Sequence, residues 1–325
     1  MKKSDVIPLI LANKLKNPAI LSSVKTFAPA NIALCKYWGK RDLELNLPIT
    51  NSLSISLKAG TYTELSLQDA NDLIIINNQI MDPASAFAKR AIAFLDLFRP
   101  KSSYFKVDSL SEVPIAAGLA SSASGFASLT LALNQLFSFE LSNHELSILA
   151  RLGSGSACRS IESGFIEWHQ GIRTDGLDSF AENLNIDWPE LCIELLIISD
   201  TPKKISSRDG MQHTVRTSLL YKSWPQQVEK DLQALKKSLE LKDFSLLGET
   251  AEANALAMHA TMLSARPAIN YILPDTLLLM QKIWDLRQQG LEVYFTQDAG
   301  PNLKLLFLRK DLLAVQSIFK DFIRK

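Results

Sequence analysis

The sequence predicts an α+β protein built as two domains, and three observations point to it. The segments Ser52 to Leu57 and Thr63 to Gln68 alternate apolar and polar residues with the period of two that paired strands require. Apolar residues recur at helical spacing through Val228, Leu232, Leu235 and Leu239, and again from Phe244 to Ser264. A chain of 325 residues with 47% hydrophobic content also exceeds the usual size of one hydrophobic core.

Taken in order, Met1 to Lys25 reads as an extension. Its apolar patch, Val6 to Ala12, is interrupted, and no small-residue cleavage site closes it as in a signal peptide. The globular part begins near Ala28. After the two strands, Leu73 to Ile76 and Gln79 to Met81 flank Asn77-Asn78, whose tolerance of positive φ predicts a two-residue hairpin turn. Pro83 to Phe98 reads as a helix with Pro at its start and Pro100 beyond its end, and Tyr104 to Asp108 as a strand. A helix over Phe126 to Phe137 follows, then one announced by the capping box Ser142-Asn-His-Glu145, then a strand from Gly164 to Trp168. Thr174 to Pro189 is polar and turn-rich, which sets the expected division: extension 1–26, first domain 27–187, second domain 188–325. The second domain is read as a strand Cys192 to Ser199, the helices noted above, a helix Leu279 to Gln288, and strands Val293 to Thr296 and Leu303 to Leu308 around Asp298-Ala-Gly-Pro-Asn302.

A net charge of +1 lacks the basic excess of a nucleic-acid or membrane-surface protein. Cys35, Cys158 and Cys192 are scattered and form no C-x-x-C, so neither a disulfide framework nor a zinc site is indicated, and a reducing cytoplasm is expected. No apolar run approaches the roughly 20 residues of a spanning helix. The four histidines show no metal spacing and are read as structural.

Four segments carry the chemistry. Pro114 to Ala127 is a loop of small residues running into an apolar helix. Gly118 allows a tight turn there, and Ser121, Ser122 and Ser124 stand where first-turn N–H groups and the helix dipole favour an anion. No Gly-Lys-Ser/Thr follows, so it is no Walker A loop. An ordinary Ser-rich N-cap is the alternative reading. Asn31 to Arg41 packs three cations, an amide and two aromatics together, and on an extended strand Lys36, Trp38 and Lys40 share one face. The competing reading is a strand end with solvated lysines. Arg151-Leu-Gly-Ser-Gly-Ser-Ala-Cys-Arg-Ser160 and Lys203-Lys-Ile-Ser-Ser-Arg-Asp209 repeat the pattern of hydroxyls beside a guanidinium, and together the four segments call for a ligand with several negative groups. Asp298, in a tight turn after an apolar strand, is either a general base or the residue that starts an Asx-turn.

Ala28-Pro-Ala-Asn-Ile-Ala33 with Lys36-Tyr-Trp-Gly-Lys-Arg41, Ala116-Ala-Gly-Leu-Ala-Ser-Ser-Ala123, Gly153-Ser-Gly-Ser-Ala-Cys-Arg-Ser160, Ser206-Ser-Arg-Asp-Gly-Met211 and Asp298-Ala-Gly-Pro-Asn302, in this order, resemble the mevalonate diphosphate decarboxylase family of the GHMP group of small-molecule kinases. The resemblance runs from about residue 27 to the C-terminus and takes in Met258 to Ala265. It implies a GHMP-kinase-like fold: a ribosomal-S5-domain-2-like N-terminal domain, a ferredoxin-like C-terminal domain, and an active site in the cleft between them. The reaction it implies is ATP-dependent phosphorylation of a tertiary hydroxyl on mevalonate 5-diphosphate, then loss of phosphate and CO₂ to leave isopentenyl diphosphate. By the same resemblance Gly118, Leu119, Ala120, Ser121, Ser122 and Ser124 hold ATP, with Mg²⁺ on Ser121 or Ser122. Tyr37, Lys40, Ser154, Ser156, Ser207 and Arg208 bind the substrate diphosphate, and Arg159 clamps the carboxylate. Asp298, with Lys36 and Asn31 beside it, orients or deprotonates the hydroxyl. A cytoplasmic homodimer is expected. The extension has no counterpart in the resemblance, and Cys35 stands where an aliphatic residue is more usual. A kinase of the same group that stops at phosphorylation is the alternative activity; a non-catalytic nucleotide-binding protein on the same scaffold would be expected to have lost some of these charged residues.

Overall fold

The computed structural model describes residues 1–11, 20–100, 103–113, 121–201 and 203–323. Gly118, Leu119 and Ala120 lie outside that set. Helix α1 (Lys3–Leu11) comes first, then the long strand β1 (Ser23–Cys35), a small hairpin of β2 (Lys40–Asp42) and β3 (Leu47–Pro48), and β4 (Ser52–Gln68). Sequence periodicity divided β4 in two, but the 17 residues form one strand. The apparent break at Lys58-Ala-Gly60 is a bulge within β4, where Leu57, Lys58 and Ala59 stand against Ala30 of the neighbouring β1, and not a turn.

Strand β1 runs antiparallel along almost the whole of one edge of β4, pairing Val24 with Leu65 and Ile32 with Ile55. The other edge is therefore shared end to end by β7 (Tyr104–Ser111), beside Thr61–Gln68, and β8 (Phe165–Trp168), beside Ser52–Ile55. Before β7 come β5 (Leu73–Ile76), β6 (Gln79–Ile80) and α2 (Ala86–Leu95). The expected turn between β5 and β6 is present, with Asn77 and Asn78 at φ 48° and 63°. Helix α2 starts at the cap Ser85, leaving Pro83 in the preceding turn. A short β9 (Ala181–Asn183), hidden in the stretch read as a junction, pairs with β8.

Helices α3 (Ser121–Leu136) and α4 (Asn143–Gly153) cover this sheet, and α4 begins with the expected capping box. Small residues let α3 lie close on the strands. The Thr26 hydroxyl donates to the Ser128 carbonyl at 2.7 Å, and the Ser128 hydroxyl lies 2.6 Å from that of Thr63. Phe126, Leu129, Leu133 and Leu136 complete the core with Phe94 and Phe105. The N-terminal segment set apart as an extension contributes to this core through Val6, Ile7 and Leu11 of α1.

The second half contains β10 (Leu191–Leu196), α5 (Ser207–Thr217), α6 (Trp224–Leu241), α7 (Phe244–Leu263), α8 (Pro274–Gln288), β11 (Val293–Gln297), β12 (Leu303–Leu308) and α9 (Leu312–Ile318). Its antiparallel sheet has the order β10-β12-β11. Alternation along β11 and β12 turns Tyr294 and Leu306 toward α6 and α7, and Phe295 and Leu305 toward α8 and α9. Helices α6 and α7 also share a core with Leu34, Cys35, Leu53 and Phe165 of the first sheet, so the end of β1 meets the β11–β12 turn.

The chain leaves β1 through Gly39 at φ +119°, where a Cβ would stand 1.8 Å from the Tyr221 hydroxyl, itself bonded to the Trp38 carbonyl at 2.8 Å. Gly39→Ala is expected to lower stability by about 1–3 kcal/mol or more, because strain and clash combine there. Chemical denaturation checks this, and an unchanged midpoint would contradict it.

Candidate active site

Asp298 occupies the turn between β11 and β12. Its carboxylate does not close the turn, as an Asx-turn residue would. That task falls to the Gly300 N–H, which donates to the Asp298 carbonyl at 2.7 Å, to the Gln297 amide, which donates to the Gly300 carbonyl at 2.9 Å, and to the Thr276 hydroxyl, which donates to the Pro301 carbonyl at 3.0 Å. Instead, Lys36 Nζ lies 2.7 Å from Oδ1 and Lys304 Nζ 2.9 Å from Oδ2. Both lysine side chains are almost fully buried, at 2% and 1% exposure, whereas that of Asp298 retains 23%. The carboxylate is thus gripped from the protein side and open on the other. Burial would raise its pKa, but Lys304 and Lys36 outweigh it and hold the carboxyl well below the usual range. Burial brings Lys36 down to about 8, against the pull of Asp298. His259, read as structural, places Nε2 3.1 Å from the Asp298 carbonyl oxygen, and burial lowers its pKa to about 4.

Lys36 and Lys40 do not share a strand face, because β1 ends at Cys35 and the chain turns before β2. Trp38 enters the core, Lys36 faces Asp298, and Lys40 Nζ donates to Asn46 Oδ1 at 2.6 Å. The reading of solvated lysines fails for Lys36, which is 1% exposed. The backbone N–H of Lys36 donates to Asn254 Oδ1 of α7 at 2.8 Å, and Asn254 Nδ2 donates to Asp231 Oδ2 of α6 at 2.7 Å. Two helices of the second half therefore fix the residue that leaves β1.

Arg159 sits in a 3₁₀ turn, Gly155–Ser160, and is buried at 3% exposure. Its guanidinium donates to Ser52 Oγ and, at 3.3–3.4 Å, to Asn31 Oδ1, and lies 5.8 Å from the Trp168 ring. Among the described residues no carboxylate forms an ion pair with it. Asn31 is oriented by donating to Ser160 Oγ at 2.7 Å and to the Ser156 carbonyl at 3.3 Å. Tyr37 stacks edge-on against Trp168 at 4.7 Å, and its buried hydroxyl has no hydrogen-bond partner among the described residues. That hydroxyl lies against Gly155, where a Cβ would come within 2.7 Å of it.

Two family models match consecutive parts of the chain: the diphosphomevalonate decarboxylase-like N-terminal domain over residues 28–181, and the mevalonate 5-diphosphate decarboxylase C-terminal domain over residues 193–325. The diphosphomevalonate decarboxylase of Aspergillus fumigatus is 37% identical over 321 residues, covering 91% of this chain and 79% of its own. That of Saccharomyces cerevisiae is 35% identical, with 87% and 77% covered. The mevalonate diphosphate decarboxylase of Staphylococcus aureus superposes with a TM-score of 0.87 at 36% identity, over 94% and 93% of the two chains. A complex of MDDEF with MVAPP, AMPPCP and magnesium gives 0.85 at 43% identity, over 93% and 94%.

The chain belongs to the diphosphomevalonate decarboxylase family. In this family member Lys304 and Arg90 escaped the sequence analysis, and Lys203 figured there only within its 203–209 segment. Lys304 lies in an alternating strand, where it looks like a solvated position. Lys203 Nζ bonds to Ser207 Oγ at 2.7 Å and to the Ala299 carbonyl at 2.9 Å, and burial brings its pKa down to about 8 although Asp298 pulls it upward. Ser207 and Arg208 form the first turn of α5, capped by Ser206, where a loop was expected. Arg90 of α2 lies 5.4 Å over the Phe126 ring and feels the charge of Arg208. Burial lowers Lys40 to about 7, with further contributions from Arg208, Lys3 and Arg90. Ser154 and Ser156 stand partly buried at the end of α4 and in the turn that follows.

Of the serines expected to hold nucleotide, Ser121 and Ser122 begin α3, and Ser122 is partly exposed. Ser124 is fully buried, its hydroxyl 2.7 Å from that of Thr61, so it joins the helix to the sheet. No cluster of three His, Cys, Asp or Glu among the described residues could hold a metal on its own.

Because kcat/KM reports the free enzyme, it is expected to fall as pH rises through about 7 to 8, where Lys40, Lys36 and Lys203 lose their protons. A profile flat to pH 9.5 would contradict this.

Proposed function

We propose that this chain converts mevalonate 5-diphosphate to isopentenyl diphosphate, with ATP becoming ADP and with phosphate and CO₂ released. The observation that carries this reading is Arg159: a buried guanidinium whose hydrogen bonds among the described residues all go to neutral groups, close enough to feel the charge of Asp298. Leaving it so is costly unless an anion completes it, and a substrate carboxylate would do so in two-point contact.

In this reading Asp298 accepts a hydrogen bond from the tertiary hydroxyl on its open side while Lys36 and Lys304 fix both carboxylate oxygens. The hydroxyl oxygen forms its bond to the γ-phosphorus as the bond from that phosphorus to the β-bridging oxygen breaks, and the proton passes to the carboxylate. A carboxylate held so acidic is a weak base, so its main contribution is alignment before the transfer and acceptance of the proton late in it. The C3–O bond to the new phosphate then breaks, the electron pair of the C–COO⁻ bond forms the double bond, and CO₂ leaves. In this reading the ammonium groups of Lys36 and Lys203 stabilise the departing phosphate. Tyr37, Lys40, Ser154, Ser156, Ser207 and Arg208 hold the substrate diphosphate, with Arg90 adding a charge. The start of α3 suits the nucleotide phosphates, and a hydroxyl of Ser121 or Ser122 would complete the coordination of a phosphate-bound Mg²⁺. The MDDEF complex with AMPPCP and magnesium supports this assignment of ATP and Mg²⁺. Three unpaired thiols, two of them buried, suit a cytoplasmic enzyme. The homodimer is carried over from the sequence resemblance, and sedimentation tests it.

Purified protein given ATP, Mg²⁺ and mevalonate 5-diphosphate is expected to release ADP and CO₂ in equal amounts. ADP without CO₂ would instead mark a kinase. Asp298→Asn should lower kcat by about 100-fold or more with KM for ATP nearly constant. Arg159→Lys should lower kcat/KM by on the order of 10- to 150-fold. Equal weakening for an analogue that lacks the carboxylate would remove Arg159 from its assigned partner.

A further inference from the structure

Helix α1 precedes the part of the chain that the family models match, which begins at residue 28. It is nonetheless seated firmly: Val6 and Leu11 are fully buried and Ile7 nearly so, in the core that also holds Leu45 and Leu47 of the β2–β3 hairpin. Its first residue, Lys3, donates its backbone N–H to Glu44 Oε1 of the same hairpin at 3.2 Å. That hairpin carries Lys40, and Asn46 joins it to the end of α4 by donating to the carbonyls of Arg151 and Leu152, immediately before Ser154. Helix α1 is therefore docked on the two elements that present Lys40 and Ser154.

The Lys3 side chain is partly buried, whereas most lysines are exposed. Burial lowers its pKa; Glu44 opposes the shift, and Arg208 and Arg90 reinforce it. For such repulsion to be felt, the charges must lie within on the order of 10 Å. Among the described residues no carboxylate forms an ion pair with Lys3, Arg90 or Arg208. Four cations from four separate elements, α1, β2, α2 and α5, thus act on one another, and among the described residues Glu44 is the carboxylate that opposes them. Such a cluster opposes its own assembly unless an anion of high charge enters it.

We infer that Lys3 of the N-terminal helix is a fourth cation of the diphosphate pocket, so that the segment preceding the family's common fold forms part of the substrate-binding wall. The inference rests on the proposed function for the identity of the ligand. The required chemistry, a pyrophosphate group, can be probed without turnover.

The test compares Lys3→Ala, Lys3→Glu and Lys3→Arg with the wild type and with Lys2→Ala as control, using titration calorimetry with inorganic pyrophosphate, steady-state kinetics and thermal melting. Lys3→Ala is expected to weaken pyrophosphate binding and raise KM for mevalonate 5-diphosphate by about 10-fold, with kcat within about two-fold of wild type. Lys3→Glu should do more, Lys3→Arg should restore most of the affinity, and Lys2→Ala should change neither. Unaltered pyrophosphate affinity in both Lys3→Ala and Lys3→Glu would overturn the inference. So would a loss of affinity that follows a fall in melting temperature and is not restored by arginine. Wild-type protein that binds pyrophosphate but releases no CO₂ would sink the proposed function and leave the role of Lys3 to be decided by the binding data.

Discussion

One carboxylate held by two buried ammonium groups organises this molecule. Lys36 leaves the end of β1 in the first half, while Asp298 and Lys304 belong to the β11–β12 hairpin of the second, so the ion triad forms only when the two halves are packed together. Buried charges of this kind are weak evidence for stability, since removing them from water costs about as much as their attraction returns. Their value lies in geometry. A carboxylate held at both oxygens from within the protein can turn only its open side to a ligand.

The surrounding structure serves to keep that geometry. Helices α6 and α7 cover the end of β1, where Asn254 accepts from the backbone N–H of Lys36 and is itself held by Asp231. His259 of α7 touches the backbone of Asp298 itself. Asn302, in the same turn, accepts from the N–H groups of Ile198 and Ser199 beyond β10, at 2.7 and 3.0 Å. The turn is thus tied to three neighbouring elements, and its rigidity follows from these ties and not from its own sequence. Arg159 is held by a separate set, Asn31 and Ser52 of the first sheet.

Much of this was legible in the sequence because it depends on local rules. The Asn77-Asn78 hairpin, the capping box at Ser142 and the β11–β12 hairpin follow from φ tolerance, capping and period-two alternation. The continuity of β4 was not legible, because a bulge at Leu57 to Ala59 breaks its alternation and looks like a turn. Lys304 was missed for a related reason. In Leu303-Lys-Leu305 alternation assigns it to solvent, and only the tertiary position of Asp298 makes a buried lysine tolerable there. The reading of Lys36 and Lys40 as one face assumed that β1 continued, whereas Gly39 turns the chain and sends the two side chains to different ends of the site. Helix α5 was read as a loop because its serines and arginine suggested a ligand before they suggested a cap.

The central claim is that the two lysines hold Asp298 ionised and aligned. Carboxyl ¹³C NMR of protein labelled at aspartate, with the Asp298 signal assigned by its absence from Asp298→Asn, measures this directly. The account predicts that the Asp298 signal stays in its ionised position well below the pH at which exposed aspartates titrate, and moves toward them in Lys304→Met. Titration of Asp298 at or above the ordinary carboxylate pKa of about 3.9 in the wild-type protein would contradict it.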